Sequence, residues 1–170
     1  YKRQLFGDYN PGGRLAVTFP KSVGQIPFAF PFKPGSDESS ETSVYGALYP
    51  FGHGLSYTTF QYSDLVISPS KQGVQGNISI SCTIKNIGQR EGDEVVQLYL
   101  RDEVSSVTTY TQVLRGFERI TLKPEASHTV HFELTPQELG IWDKQMNFTV
   151  EPGMFKVMIG SSSKDIRLKG

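Results

Sequence analysis

The stretch "NISISCTIK", residues 77–85, decides the fold. Successive strand side chains point to opposite faces, so Ile78, Ile80, Cys82 and Ile84 share one face, and Ser79, Ser81 and Thr83 share the other. This is the pattern of a strand with one face in a core and one in water. The period recurs downstream. "DEVVQLYLRD" (93–102) sets Val96, Leu98 and Leu100 against Val95, Gln97, Tyr99 and Arg101, so both of its faces are expected to be partly covered. "SHTVHFEL" (127–134) offers Val130, Phe132 and Leu134 to a core, and further strands are expected over 61–68 and 111–117. "NFTVEPGMFKVMIG" (147–160) reads as a hairpin turning at Glu151-Pro152-Gly153. Breakers such as "NIGQREG" and "LKPEAS" separate these runs, and "TPQELGIWD" (135–143) reads as a single helical turn capped by Thr135 with Pro136 at its first position. About seven short antiparallel strands punctuated in this way predict an all-β fold, a β-sandwich of the immunoglobulin or fibronectin type III kind.

Residues 1–59 have a different texture. "NPGG", "FPKSVGQIPFAFPFKPG" and "YPFGHG" sustain neither a helical nor a strand period, and proline at this density opposes helix and central strand alike. Phe28, Phe30 and Phe32 are nevertheless strongly apolar, so this third is expected to be an extended strap burying its aromatics on another surface. The run "KPGSDESSETS" (33–43) has no large apolar residue and is expected to be an exposed, mobile loop. Strap and sandwich meet in "LYPFGHGLSYTTFQYSDL" (48–65), where Gly52 and Gly54 are expected to turn the chain while Tyr49, Phe51, Tyr57 and Phe60 anchor the turn. His53 is then a packed or hydrogen-bonded ring at the corner.

A compact chain of 170 residues buries roughly 70% of its unfolded surface, so a real core is expected. Seventeen basic and seventeen acidic residues balance to zero without a basic stripe, which argues against a nucleic-acid partner. No apolar run approaches the roughly 20 residues of a membrane span. The chain opens at Tyr1 rather than methionine, which suggests a fragment or processed product. The single Cys82 excludes an internal disulfide and reads as a small buried hydrophobe. Asn77 and Asn147 open glycosylation triplets that matter only in a host that glycosylates secreted proteins.

Chemistry is hard to find. A glycosidase needs two facing carboxylates, but Asp93 and Glu94, like Asp102 and Glu103, are sequence neighbours whose side chains diverge, and they read as solvated turn residues. His128 and His131 lie three apart in a strand, on opposite faces, so no metal site is expected. "GHGLSY" lacks the third glycine of a dinucleotide loop, and no cofactor is expected. Trp142 alone cannot form an aromatic sugar platform, although Tyr99 and Tyr110 could add to one.

Six segments in order, "FGDYNPGGRLAVTFPKSVGQIP", "YPFGHGLSYTTFQYSDL", "KNIGQREGDEVVQLYLRD", "LRGFERITL", "FELTPQELGIWD" and "VEPGMFKVMIGSSSKDIRL", resemble the C-terminal region of family 3 glycoside hydrolases, the β-glucosidase and β-xylosidase group. The resemblance covers nearly the whole chain. Ala16 replaces the usual proline of the strap motif, and His53 replaces a usual tyrosine. In that family a barrel domain supplies a nucleophilic aspartate, an α/β sandwich domain commonly supplies the acid/base glutamate, and a fibronectin type III-like domain follows.

The resemblance implies that residues 1–59 are the exit of the α/β domain plus the linking strap, and that 60–170 are the fibronectin-like domain. Both catalytic carboxylates would lie upstream, and no position here matches either motif. The partners implied are the upstream catalytic domains of the same polypeptide and, through the parent enzyme, an oligosaccharide substrate; a homodimer is left open. A periplasmic or secreted retaining exo-β-glycosidase is the implied parent, with this chain as an inactive accessory unit. A carbohydrate-binding module and a protein-binding sandwich are the alternatives. The polar loop 33–43 could shape the rim of the parent's active site.

Overall fold

The structure is a computed structural model that describes residues 2–26, 28–36, 46–71, 73 and 75–170. Among the described residues, nine strands follow a short N-terminal helix, α1 (Lys2–Leu5), and a 3-10 turn (Val23–Gln25): β1 (Phe60–Ser68), β2 (Ile78–Asn86), β3 (Gly92–Asp102), β4 (Val113–Leu122), β5 (Ser127–Leu134), β6 (Ile141–Trp142), β7 (Phe148–Thr149), β8 (Phe155–Gly160) and β9 (Ile166–Lys169). A second helical turn, α2 (Pro136–Leu139), precedes β6 and carries the expected cap. The Thr135 hydroxyl accepts from the Gln137 N–H, while Glu138 accepts from the Thr135 N–H at 2.8 Å.

The strands form two packed sheets, β1-β2-β5 and β4-β3-β8-β9, with every pairing antiparallel. The β2 register places Ile80 opposite Phe132, Cys82 opposite Val130 and Ile84 opposite His128. Ile80, Cys82, Ile84 and Val130 are fully buried and pack with Val96, Leu98 and Ile159 of the other sheet. The alternation of β2, β3 and β5 therefore produces the core directly, with Phe132 only half-buried at its margin. β1 is interrupted by a bulge between Ser63 and Val66, where Asp64 takes a left-handed φ of 53°.

Asn86, fully buried at the end of β2, ties the two sheets together. Its amide donates to the carbonyls of Leu122 (2.9 Å) and Arg90 (2.7 Å), and its Oδ1 accepts from the Thr58 hydroxyl (2.6 Å) and the Gly88 N–H (3.0 Å). Every polar function of this buried amide is used, which is the condition for burying it without penalty.

One expectation about the C-terminal third is corrected. Phe148 does not pair across the Glu151-Pro152-Gly153 turn with β8. It pairs with Trp142, so that β6 and β7 form a small hairpin outside the two sheets. The reason is that β8 has no free edge: β3 occupies one side, with Leu98 opposite Ile159, and β9 occupies the other, with Leu168 opposite Ile159. The chain through Glu151 is instead held by the β3–β4 connection, the Glu151 carboxylate accepting from the Ser106 N–H at 2.8 Å. β9 itself carries no signal strong enough to predict, being four residues long.

The loop expectation for 33–43 falls partly outside the described residues; within them, 33–36 are exposed.

Candidate functional site

β8 accompanies β3 only from Gln97 to Asp102, so Gly92–Val96 has no strand partner on that side. The N-terminal strap enters there. Its two arms are joined to each other by backbone bonds, Leu15 N–H to His53 O at 2.9 Å, Gly52 N–H to Leu15 O at 2.8 Å and Phe19 N–H to Tyr49 O at 2.9 Å. The folded-back ribbon is then fastened to the sandwich. Arg90 donates to Gly7 O (3.1 Å), the Ser163 N–H donates to Phe51 O (2.9 Å), and the Thr111 N–H donates to Phe32 O (2.9 Å), while Asn10 ties the two arms of the strap together through the Tyr57 N–H (2.7 Å) and the Ser56 hydroxyl (2.9 Å).

The residues expected at the joint contribute unequally. Gly52 takes a φ of +80°, and a Cβ there would stand 2.1 Å from Gln97 Oε1, so only glycine fits. Gly54 does not have a left-handed φ, contrary to expectation; its requirement is space, since a Cβ would meet the Gly13 carbonyl at 2.4 Å. Phe51 stacks on Phe30 (4.5 Å, 17°), and Phe30 meets Tyr99 edge to face at 5.8 Å. Tyr49 stacks on His53 at 5.1 Å, and Tyr57 donates its hydroxyl to Gln4 O at 2.7 Å. Phe60 is buried in the core.

Two sequence readings fail here. Tyr99 cannot serve a sugar platform, because it is completely buried and donates its hydroxyl to Gln97 Oε1; burial pushes that phenol well above its ordinary pKa. Gln97 in turn donates to Gly52 O (3.2 Å) and Ser161 O (2.6 Å), so the outer face of β3 is a polar relay under the strap. Nor are Asp93 and Glu94 solvated turn residues. Asp93 is ligated by Arg119 and by the Thr121 hydroxyl (2.7 Å). Burial would raise its pKa, but these bonds outweigh it and hold the carboxyl below the ordinary range.

Glu94 is buried, and its Oε1 lies 2.7 Å from Arg14 Nη2, with the two side chains only 5% and 9% exposed. Burial pushes the Glu94 carboxyl above its usual range against the pull of Arg14, and the buried Tyr62 phenol beside it is pushed up by burial and by that charge. No sequence signal identified this pair, because its members stand 80 residues apart.

The joint thus offers hydrogen bonds, stacked rings and one buried ion pair. Among the described residues, no group of three or more His, Cys, Asp or Glu could hold a metal. His128 and His131 are both exposed on β5. The Cys82 thiol is pushed up to about 11, first by burial, which suppresses the nucleophilic thiolate. No helix of the described residues is long and apolar enough to cross a membrane.

A two-sheet sandwich with a strap sewn into the open half of one sheet is a fibronectin type III-like architecture carrying an added N-terminal segment. Residues 94–163 match the fibronectin type III-like domain, and residues 2–57 match the glycosyl hydrolase family 3 C-terminal domain. The chain belongs to the C-terminal region of the family 3 glycoside hydrolases. It is 43% identical to a periplasmic β-glucosidase of Salmonella typhimurium, over 96% of this chain and 23% of that protein. A β-xylosidase of Formosa agariphila is also 43% identical, over 97% of this chain and 23% of its own length. Among solved structures, a β-glucosidase from Erythrobacter marinus superimposes with a TM-score of 0.91 at 37% identity, covering 99% of this chain and 22% of its own. A Listeria innocua β-glucosidase in complex with glucose gives 0.86 at 31%, covering 98% and 25%. The chain therefore spans about a quarter of the length of these relatives.

Proposed function

We propose that this chain is the structural accessory unit of a retaining, exo-acting β-glycosidase of the β-glucosidase type. The parent releases terminal sugars from β-linked oligosaccharides, with both catalytic carboxylates in residues upstream. The observation that carries this reading is the two-sided strap. One side is bonded to the sandwich as described, while Leu5, Phe6, Val23, Ile26 and Leu55 are left between 66% and 84% exposed. So many large apolar side chains on a segment without its own core mark a surface for another body. The upstream catalytic domains of the same polypeptide are that body.

The division falls at residues 1–59 and 60–170. The family match to the preceding domain ends at 57 and β1 begins at Phe60, which supports that boundary. Tyr49, Phe51, Gly52, His53, Gly54, Tyr57 and Phe60 act as the interdomain joint. The parent works in the periplasm or outside the cell, as the name of the Salmonella relative supports.

Hydrolysis of aryl β-glucosides and aryl β-xylosides, measured on the intact polypeptide and on this chain alone, tests the reading. Activity is expected only in the intact protein. Turnover by this chain above a denatured control would refute it, and an intact protein inactive on both substrates would refute the assigned reaction.

A further inference from the structure

Where β3 ends and the chain crosses over to β4, a cleft of about 450 Å³ opens between that crossover and the α2–β6 segment. Its size is that of a small-molecule site, roughly 300–1,000 Å³. Tyr110 and Trp142 line it, 44% and 58% exposed, and neither belongs to the core cluster. The indole is not a lone ring, as the sequence implied. Phe148 meets it edge to face at 5.5 Å and 60°, and the β6–β7 ladder holds the two residues opposite each other. Trp142 is therefore a preformed surface.

The polar lining narrows the ligand class. Asp102 and Glu138 are balanced by Lys33 and Arg115, so the cleft has no net formal charge to attract an ion. Glu138 is already engaged by the Thr135 N–H and hydroxyl, which leaves the Arg115 donors without a hydrogen-bond partner among the described residues. A purely apolar ligand would strip water from Arg115 and Asp102 and give nothing back. A pyranose satisfies both demands. Its C–H face lies on the electron-rich face of an aromatic ring, while its hydroxyls accept from a guanidinium and donate to a carboxylate.

We propose that this cleft binds a neutral oligosaccharide through Tyr110 and Trp142, with Arg115 and Asp102 reading its hydroxyls. The choice of a β-linked ligand rests on the glycosidase reading above.

Trp142 is the only tryptophan, so indole emission reports directly on the cleft. Titrating the full 170-residue chain with cellohexaose and xylohexaose should give a saturable emission change with reduced acrylamide quenching for at least one of them. Tyr110→Ala and Arg115→Gln, both at exposed positions, should each weaken binding tenfold or more with an unchanged circular dichroism spectrum. Absence of saturation with either sugar, or unchanged affinity in both variants, overturns the proposal. Saturation by α-linked maltohexaose alone overturns the β-linked assignment. The titration is repeated on the intact protein beside its Trp142→Phe variant, whose difference isolates this indole; a Trp142 that acrylamide no longer reaches marks a cleft covered by protein and again overturns it. Hydrolysis is scored separately: activity without binding refutes only this site, and binding without activity refutes only the assigned reaction.

Discussion

Replacing Arg14 by methionine removes one partner of the ion pair that clamps the strap into the open half of β3. Both side chains are almost completely enclosed, at 9% and 5% exposure, with 2.7 Å between Nη2 and Oε1. Breaking a buried pair on one side costs about 3–5 kcal/mol, because the remaining charge is left without compensation. For a chain of this length each kcal/mol lowers Tm by about 2–4 °C, so even the lower figure predicts a fall of about 6–12 °C at pH 7.5.

Glu94 can escape part of this cost by taking up a proton. Its carboxyl is already raised by burial, and Arg14 is what opposes the rise, so removing Arg14 moves it further up. A carboxyl whose folded pKa lies above its unfolded value favours the folded state as the pH falls through the folded pKa. The gap between wild type and Arg14→Met should therefore narrow from pH 7.5 to pH 5. The double variant Arg14→Met/Glu94→Gln leaves no bare charge and should return to within about 1 kcal/mol of wild type. Scanning calorimetry and urea unfolding of the three proteins at the two pH values make the measurement. A single variant that loses less than about 1 kcal/mol at pH 7.5, or a double variant as unstable as the single, would refute the clamp.

Gly52→Ala places a methyl against Gln97 at a φ of +80° and should cost about 1–3 kcal/mol, read as a lower urea midpoint with unchanged slope. Asn86→Ala strands the Leu122 carbonyl, the Gly88 N–H and the Thr58 hydroxyl, and should cost about 2–3 kcal/mol in the same assay. With its thiol at about 11, Cys82 should be thiolate in roughly one molecule in a thousand at pH 8, so Ellman's reagent should react quickly only after unfolding. Reaction of the folded chain at the rate of the unfolded one would contradict its place in the core.

Ile80, Cys82 and Ile84 were legible as core because strand alternation is a local property: backbone geometry alone decides which residues share a face. The capped turn at Thr135-Pro136 was legible for the same reason, its partners being three residues apart. The ordered family motifs, and the glycine at position 52, likewise belong to the chain itself.

What neighbours neighbours acquire is a different matter. The pairing of Phe148 with Trp142 depended on β8 having both edges occupied by β3 and β9, which no local pattern encodes. Glu94 read as a solvated turn residue, and Tyr99 as available to a sugar platform, because the groups that bury them are not neighbours in the chain. Only the arrival of the strap, from 80 residues away in the case of Arg14, removed them from water. The sequence by itself determined the long strands, their inward faces and the family. The tertiary structure alone decided which edges pair and which charges are buried, because both depend on contacts between segments far apart in the chain.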